Sequence, residues 1–295
     1  MYTSYITKFV NYDRRNKMKL EEQIRSRRSV RKYTDETLTD EALSLIQNEI
    51  SAPTQPFPSH PARFSLIYLR DTRDENGIGL LGGLAKINAP YCIAAISDGS
   101  DEGNIAAGFL LEKTVLEMTA HGLGTCWVAT FNREFFSKKC ALANGEIVVC
   151  TVVFGIPFGG GFMNGGLRVL AGSTKRKKPD EIFTGLNRAE LAKEKDKLGH
   201  IAGLAILAPS GGNRQPVSVT IGESSANFYC PDGGALDTGI FASHFFLSCA
   251  EAGMKPCLTR REGEIDSMDK PKNKKYALTI TYTLDGTDGR HKNRR

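Results

Sequence analysis

Residues 106–126 read "AAGFLLEKTVLEMTAHGLGTC", and residues 237–257 read "DTGIFASHFFLSCAEAGMKPC". At this offset of 131, four positions are identical: Gly108/Gly239, Leu116/Leu247, Gly122/Gly253 and Cys126/Cys257. Apolar character matches at Phe109/Ile240, Leu110/Phe241, Val115/Phe246, Met118/Cys249 and Leu123/Met254. Four identities alone are weak, because helices and strands share generic patterns. The order of elements around them is what favours duplication. Each copy is preceded by "APT" or "APS" at the end of a helix and then strand material, and each is followed by a β-branched strand. Ile105 to Ala120 is apolar on most faces, so that helix is expected to be buried nearly all round. Two such copies can pack about a pseudo-two-fold axis, as a homodimer does about a true one, with the two apolar helices meeting at the centre.

Working outward, residues 19–27 read as a helix with Leu20, Ile24 and Arg27 on one side. Residues 37–50 read as a second helix, capped by Thr39, with Asp40 and Glu41 in its positive first turn. Its apolar stripe is Ala42, Leu43, Ile46 and Ile50. Strands are expected at 62–69, 91–96 and 146–157, then a Gly-rich loop at 159–166. Residues 186–207 read as a charged helix that turns apolar. Strands follow at 216–221 and 226–230, then an apolar helix at 236–253 and a final strand at 275–284. The expected organisation is a loose extension (1–17), a first half (18–184), a shorter second half (185–285) and a basic tail (286–295). The class is α+β, internally duplicated.

The chain has 295 residues and a formal net charge of +6, much of it in "TKRKK" (174–178) and "GRHKNRR" (289–295). Solvated loops explain those runs more simply than nucleic-acid binding, since no zinc-finger spacing or aromatic RNA-binding signature accompanies them. Seven cysteines without C-x-x-C spacing suit buried, reduced thiols, and the histidines have no metal-ligand spacing. No stretch approaches the ~18 apolar residues of a membrane helix. The N-terminus has no signal-peptide pattern. A cytoplasmic protein that keeps away from membranes is expected.

Four further motifs point to chemistry. "RSRRSVRKYTDETLTDEAL" (25–43) resembles the opening motif of the FMN-dependent nitroreductase family. "GLGTCWVATFN" (122–132) is similar to the segment that family runs beneath the flavin ring, and "KRKKPDEIF" (175–183) to its basic closing motif. "APSGGNRQP" (208–216) resembles the loop with which one subunit reaches the flavin of the other. The plan as a whole looks like a double-length, TM-nitroreductase-like branch in which one chain imitates the usual dimer.

The residues suit what that resemblance implies. FMN has a phosphate dianion, and guanidinium groups supply charge and N–H donors in a planar fork. In an extended segment Arg27, Ser29 and Arg31 share one side. The resemblance places Arg27 and Ser29, with Arg28 between them, at the phosphate end and Arg31 at the pyrimidine edge. Arg176 and Lys177 would complete the phosphate site. Trp127, Val128, Ala129 and Thr130 map to the segment under the ring, although the family often has an acidic residue where Ala129 stands. Trp127 reads equally well as core. In the second-half loop Pro209 stiffens the backbone, Gly211 and Gly212 allow close approach, and Ser210, Asn213 and Gln215 offer polar contacts.

The implied activity is hydride transfer from NADH or NADPH to flavin and onward to an electron-poor small molecule such as a nitroaromatic or quinone. The flavin carries the chemistry, so no side-chain catalyst is named. A flavin-binding sensor or storage protein without turnover is the alternative. The first half keeps the Arg/Ser motif, while its loop reads "APTQPFPS" (52–59); the second half keeps the loop but has no R-x-S-x-R opening. One FMN per chain follows, and a chain that imitates a dimer can stand as a monomer.

Overall fold

The computed structural model describes residues 18–51, 53–72, 75–80, 85–159, 175–185, 197–222, 224–260 and 271–283. The expected extension over 1–17, the basic tail and nearly all of the Gly-rich loop lie outside these. So does the start of the charged helix.

The first half opens with helix α1 (Leu20–Ser26) and helix α2 (Asp40–Ser51). Thr39 caps α2, its Oγ1 accepting from the Ala42 N–H at 3.2 Å. Strands β1 (Arg63–Tyr68), β4 (Tyr91–Ser97), β5 (Gly124–Val128) and β6 (Ile147–Gly155) form an antiparallel sheet in the order β1-β4-β6-β5. A separate two-stranded ribbon joins β2 (Gly79–Leu80) to β3 (Ala85–Lys86). Helix α3 (Asp101–Ala120) connects β4 to β5. It begins four residues before the expected start because Ser100 caps it, accepting from the Gly103 N–H, with Asp101 and Glu102 in the first turn. Helix α4 (Arg133–Lys139), unexpected from periodicity, is capped by Asn132 and places Phe135 and Phe136 on the outer face of the sheet.

The second half repeats this plan. Helix α6 (Lys197–Ala205) precedes β8 (Ser218–Ile221) and β9 (Ser225–Cys230). Helix α7 (Ala235–Glu251) leads to β10 (Cys257–Thr259), and β11 (Lys275–Thr281) follows. These strands run in the order β8-β9-β11-β10, the counterpart of β1-β4-β6-β5 element for element. Between the halves lie a short helix, α5 (Pro179–Ile182), and β7 (Phe183–Gly185). β7 pairs in parallel with β8, so the end of the first half is stitched onto the edge of the second sheet.

The central helices α3 and α7 pack against each other, as their all-round apolarity requires. Their meeting point is the repeated glycine. A Cβ on Gly108 would lie 2.3 Å from the Leu236 carbonyl oxygen, and a Cβ on Gly239 would lie 2.1 Å from that of Ile105. Leu236 and Ile105 are themselves 131 positions apart, so the contact is reciprocal, as across an isologous dimer interface. Both helices also end alike. Gly122 and Gly253 have φ of 78° and 81°. Leu123 N–H donates to Met118 O and Met254 N–H to Cys249 O, each at 3.0 Å, closing matched Schellman turns. The main core surrounds this axis and takes one face of each sheet. A second cluster lies between the first sheet and α4, and a third joins Ile24, Leu116 and Leu204. All seven cysteines are free; six are buried and Cys257 is exposed. Among the described residues no helix is long and apolar enough to cross a membrane.

Candidate functional site

The chain turns extended at Arg27, the C-cap of α1, whose N–H still donates to Gln23 O at 2.9 Å. It then runs beside β5. Ser29 bridges Thr125 in parallel, and Val30 N–H donates to Thr125 O at 2.8 Å. Gly124 makes the close approach possible: a Cβ there would lie 2.8 Å from the Val30 side chain. Val30 is buried against the strand, and Arg27, Ser29 and Arg31 alternate with it, as the extended reading expects. Arg27 is only 6% exposed. Arg28 turns back, its guanidinium donating to the Arg25 and Arg27 carbonyls at the end of α1. Arg31 Nη1 reaches Ser29 O at 3.4 Å, and its Nε, buried, has no hydrogen bond among the described residues. Beneath this segment burial raises the Cys126 thiol pKa, opposed by Arg31, Arg27 and a hydrogen bond from Ser29.

The second contribution comes from the loop after α6. Pro209 is buried. Ser210 Oγ accepts from the Gln215 N–H at 2.9 Å. Gly212, Asn213 and Gln215 have φ of 57°, 55° and 49°. Asparagine tolerates that left-handed conformation, but glutamine rarely adopts it, so the loop holds Gln215 under local strain. Gly211 N–H donates to both carboxylate oxygens of Asp237, at 3.0 and 3.2 Å. Burial raises the Asp237 pKa, against the pull of that N–H and of Arg214.

The third contribution is the basic segment 175–177, which the loop grips. Arg176 donates through Nη1 to Asn213 Oδ1 and through Nη2 to Leu207 O at 3.1 Å. Lys177 N–H donates to Gln215 Oε1, and Lys177 Nζ to Gln215 O, both at 2.9 Å. The Asn213 and Gln215 amide nitrogens donate to Lys175 O at 2.9 and 3.2 Å. The two amides expected to face a ligand therefore hold the basic segment in place. That segment brings a guanidinium to Arg27 and Arg28. The Arg176 pKa falls to about 10, first through burial and then through repulsion by Arg27 and Arg28. Arg176, held by the second-half loop, thus lies near enough to Arg27 and Arg28 at the other end of the first half for their charges to act on it.

The β5 residues are placed differently from one another. Trp127 turns inward, its Nε1–H donating to Glu112 Oε2 at 2.7 Å. The Val128 side chain belongs to the second core cluster, and its carbonyl accepts from Thr151 Oγ1 at 3.1 Å. Ala129 is exposed and Thr130 half-buried, where the chain leaves the sheet. Sequence alone gives Glu112, Asp237 and Cys126 no distinguishing signal: Glu112 is followed by Lys113 and Thr114, Asp237 by Thr238, and Cys126 is one of seven cysteines.

The pseudo-equivalent side is built otherwise. It lies where β10 ends near the start of α3. There Arg260 Nη1 pairs with Glu102 at 3.0 Å, and Lys275 Nζ pairs with Asp101 at 2.6 Å and Asp232 at 3.0 Å. At the 131-residue offset, Arg260 and Glu102 correspond to Ala129 and Gly233. On that side an ion pair bridges the two halves; on the other, two small residues stand at those positions.

The family described as "Putative TM nitroreductase" matches residues 19–249. The chain is similar to a "putative nitroreductase" from Thermotoga maritima, with 20% identity and a TM-score of 0.60, over 92% of this chain and 96% of that one. It is also similar, over about half its length, to an FMN-dependent nitroreductase from Clostridium difficile (21% identity, TM-score 0.38, 46% of this chain and 86% of that one). A "putative NADH dehydrogenase/NAD(P)H nitroreductase" from Bacteroides thetaiotaomicron shows 22% identity and a TM-score of 0.39, over 47% of this chain and 86% of that one. No curated protein matches by sequence.

Proposed function

Because the chain belongs to the TM nitroreductase family, we propose that it is an FMN-dependent oxidoreductase. It would take a hydride from NADH or NADPH and reduce electron-poor acceptors such as nitroaromatics or quinones. The observation that carries the FMN reading is the guanidinium cluster. Arg176 stays charged near neutrality, but burial first and then repulsion from Arg27 and Arg28 lower its pKa to about 10. A phosphate dianion among them turns that repulsion into attraction and supplies acceptors for several N–H donors. The donor set therefore fits the phosphate end of FMN.

Arg27, Arg28 and Arg176 hold the phosphate in this reading, with the Ser29 hydroxyl as a neutral donor. Lys177 adds positive charge while its backbone and side chain keep the second-half loop docked. Arg31 lies further along the same strand edge and presents positive charge toward the ring's pyrimidine side. Ala129 and Thr130 border the ring with backbone and small side chains, leaving room for a flat group. Val128 anchors that border from the core, and Pro209 and Ser210 set the loop's shape. Bound FMN supplies reversible two-electron hydride acceptance and donation. The side chains bind, orient and balance charge, so no protein nucleophile is required.

The test begins with the visible absorbance of purified protein. Under anaerobic conditions NADH or NADPH should bleach the flavin band, and a nitroaromatic should restore it. A yellow protein that neither nucleotide bleaches would leave a flavin-binding protein without turnover. A protein that stays colourless when FMN is added would contradict the site.

A further inference from the structure

One buried polar cluster extends inward from Trp127, away from the guanidinium groups. Glu112 on α3 and His244 on α7 are both fully buried, with His244 Nε2 2.8 Å from Glu112 Oε1. The other carboxylate oxygen, Oε2, accepts the Nε1–H of Trp127 at 2.7 Å. His244 Nδ1 faces Leu204 O at 3.5 Å. A carboxylate in an apolar core is costly unless both oxygens are engaged, and here one is taken by each half of the molecule. The second-half helix α7 is thereby linked through Glu112 to β5, the strand on which the Arg27–Arg31 segment rests.

The pseudo-symmetry gives an internal control. At the 131-residue offset Glu112 corresponds to Ser243, Trp127 to Leu258 and His244 to Lys113. Lys113 is a surface residue paired with Glu49 at 3.7 Å. The duplicated fold therefore forms without this cluster on its other side. The cluster occurs on the side with the guanidinium groups and absent from the side bridged by Arg260 and Glu102. A device needed only for docking the two halves has no reason to follow that division.

We infer that Glu112 is a positioning residue: with His244 behind it, it fixes the indole of Trp127 and so sets the β5 edge against which the flavin ring lies. This inference rests on the flavin reading above. Glu112 touches neither cofactor nor substrate in this account; it acts through Trp127.

Trp127 is the chain's single tryptophan, so its emission reports on this cluster directly. The experiment measures FMN affinity, the visible spectrum of bound FMN, tryptophan emission and thermal melting in wild type, Glu112→Gln, Trp127→Phe and the double variant. Glu112→Gln should weaken FMN binding at least tenfold, shift the bound-flavin spectrum and move the tryptophan emission. Trp127→Phe should weaken binding to a similar degree. The double variant should be no worse than the weaker single variant within twofold, because both remove one interaction. Lys113→Ala should bind as wild type. If Glu112→Gln lowers the melting temperature but leaves affinity and spectrum within twofold of wild type, the inference is overturned and the cluster is only structural. Additive losses in the double variant would overturn it equally. If Glu112→Gln fails to fold, Trp127→Phe decides alone: wild-type affinity and spectrum would refute the positioning role. A wild type that binds no FMN removes the flavin reading, and this inference with it, and is distinguishable from every variant-specific result.

Discussion

The two sides of the α3–α7 axis share their backbone plan and differ in their chemistry. One has guanidinium groups from Arg27, Arg28 and Arg176 beside a glycine-containing loop. The other has the Arg260–Glu102 pair. Its adjoining loop carries His60, whose Nδ1 lies 2.6 Å from Asp98. The difference shows how a fused pair of halves can specialise. Packing about the axis constrains both copies equally, because each glycine faces the other helix's backbone. The two sides are under no such shared constraint, so one can keep ligand-binding charge while the other becomes internally neutralised.

The largest expected effect breaks the comparison at its charged end. Arg27→Ala and Arg176→Ala should each weaken FMN binding by about 1.5–3 kcal/mol, roughly 10- to 150-fold, the range for hydrogen bonds to charged groups. Titration of apo-protein with FMN checks this, and unchanged affinity in both variants would remove the phosphate assignment. Next come the glycines at the axis. Gly108→Ala and Gly239→Ala each force two helix backbones apart and should cost about 1–3 kcal/mol of stability. Denaturant unfolding should give similar losses for the two, since their contacts are reciprocal; a large loss at one and none at the other would argue against the pseudo-two-fold packing.

A subtler effect concerns Asp237, which holds the second-half loop through Gly211. Its pKa is raised above 3.8 in the folded protein by burial. For an acid with a raised folded pKa, the contribution to stability is fully present below the unfolded pKa and is lost as pH rises through the folded one. Asp237→Asn keeps an acceptor for Gly211 but cannot ionise. It should therefore be more stable than wild type near neutrality, with the advantage shrinking as pH falls and gone below about 3.8, the ordinary carboxylate value. Melting temperatures over that range test it, and a difference independent of pH would contradict it. The smallest effect is expected from Arg260→Ala. A partly exposed ion pair contributes about 0–1 kcal/mol, so stability should hardly change. FMN affinity should not change at all.

Much of this was legible in the sequence because its signals are local or repeated. The apolar helices, their terminal glycines and the Thr39 cap appear where periodicity and capping chemistry place them. The alternation of Arg27, Ser29 and Arg31 also held, since an extended segment fixes which side chains share a side. The sequence was silent where tertiary partners decide. Helix α4 is short and depends on the Asn132 cap and on Phe135 and Phe136 finding the outer face of the sheet. β7 has three residues and exists only because β8 offers an edge. The amides of Asn213 and Gln215 read in sequence as ligand contacts, and the segment they grip could not be seen there because it lies 37 to 40 residues earlier in the chain. Glu112 and His244 could not be joined from sequence because they lie 132 residues apart and break the repeat.

The most direct test of the account is the molar ratio of FMN released on denaturation to protein chain, measured on fully loaded protein. One composite site and one side bridged by Arg260 and Glu102 predict a ratio of one. A ratio near two would show that both sides bind and would contradict the proposed specialisation of the two halves; a ratio near zero would contradict the flavin site itself.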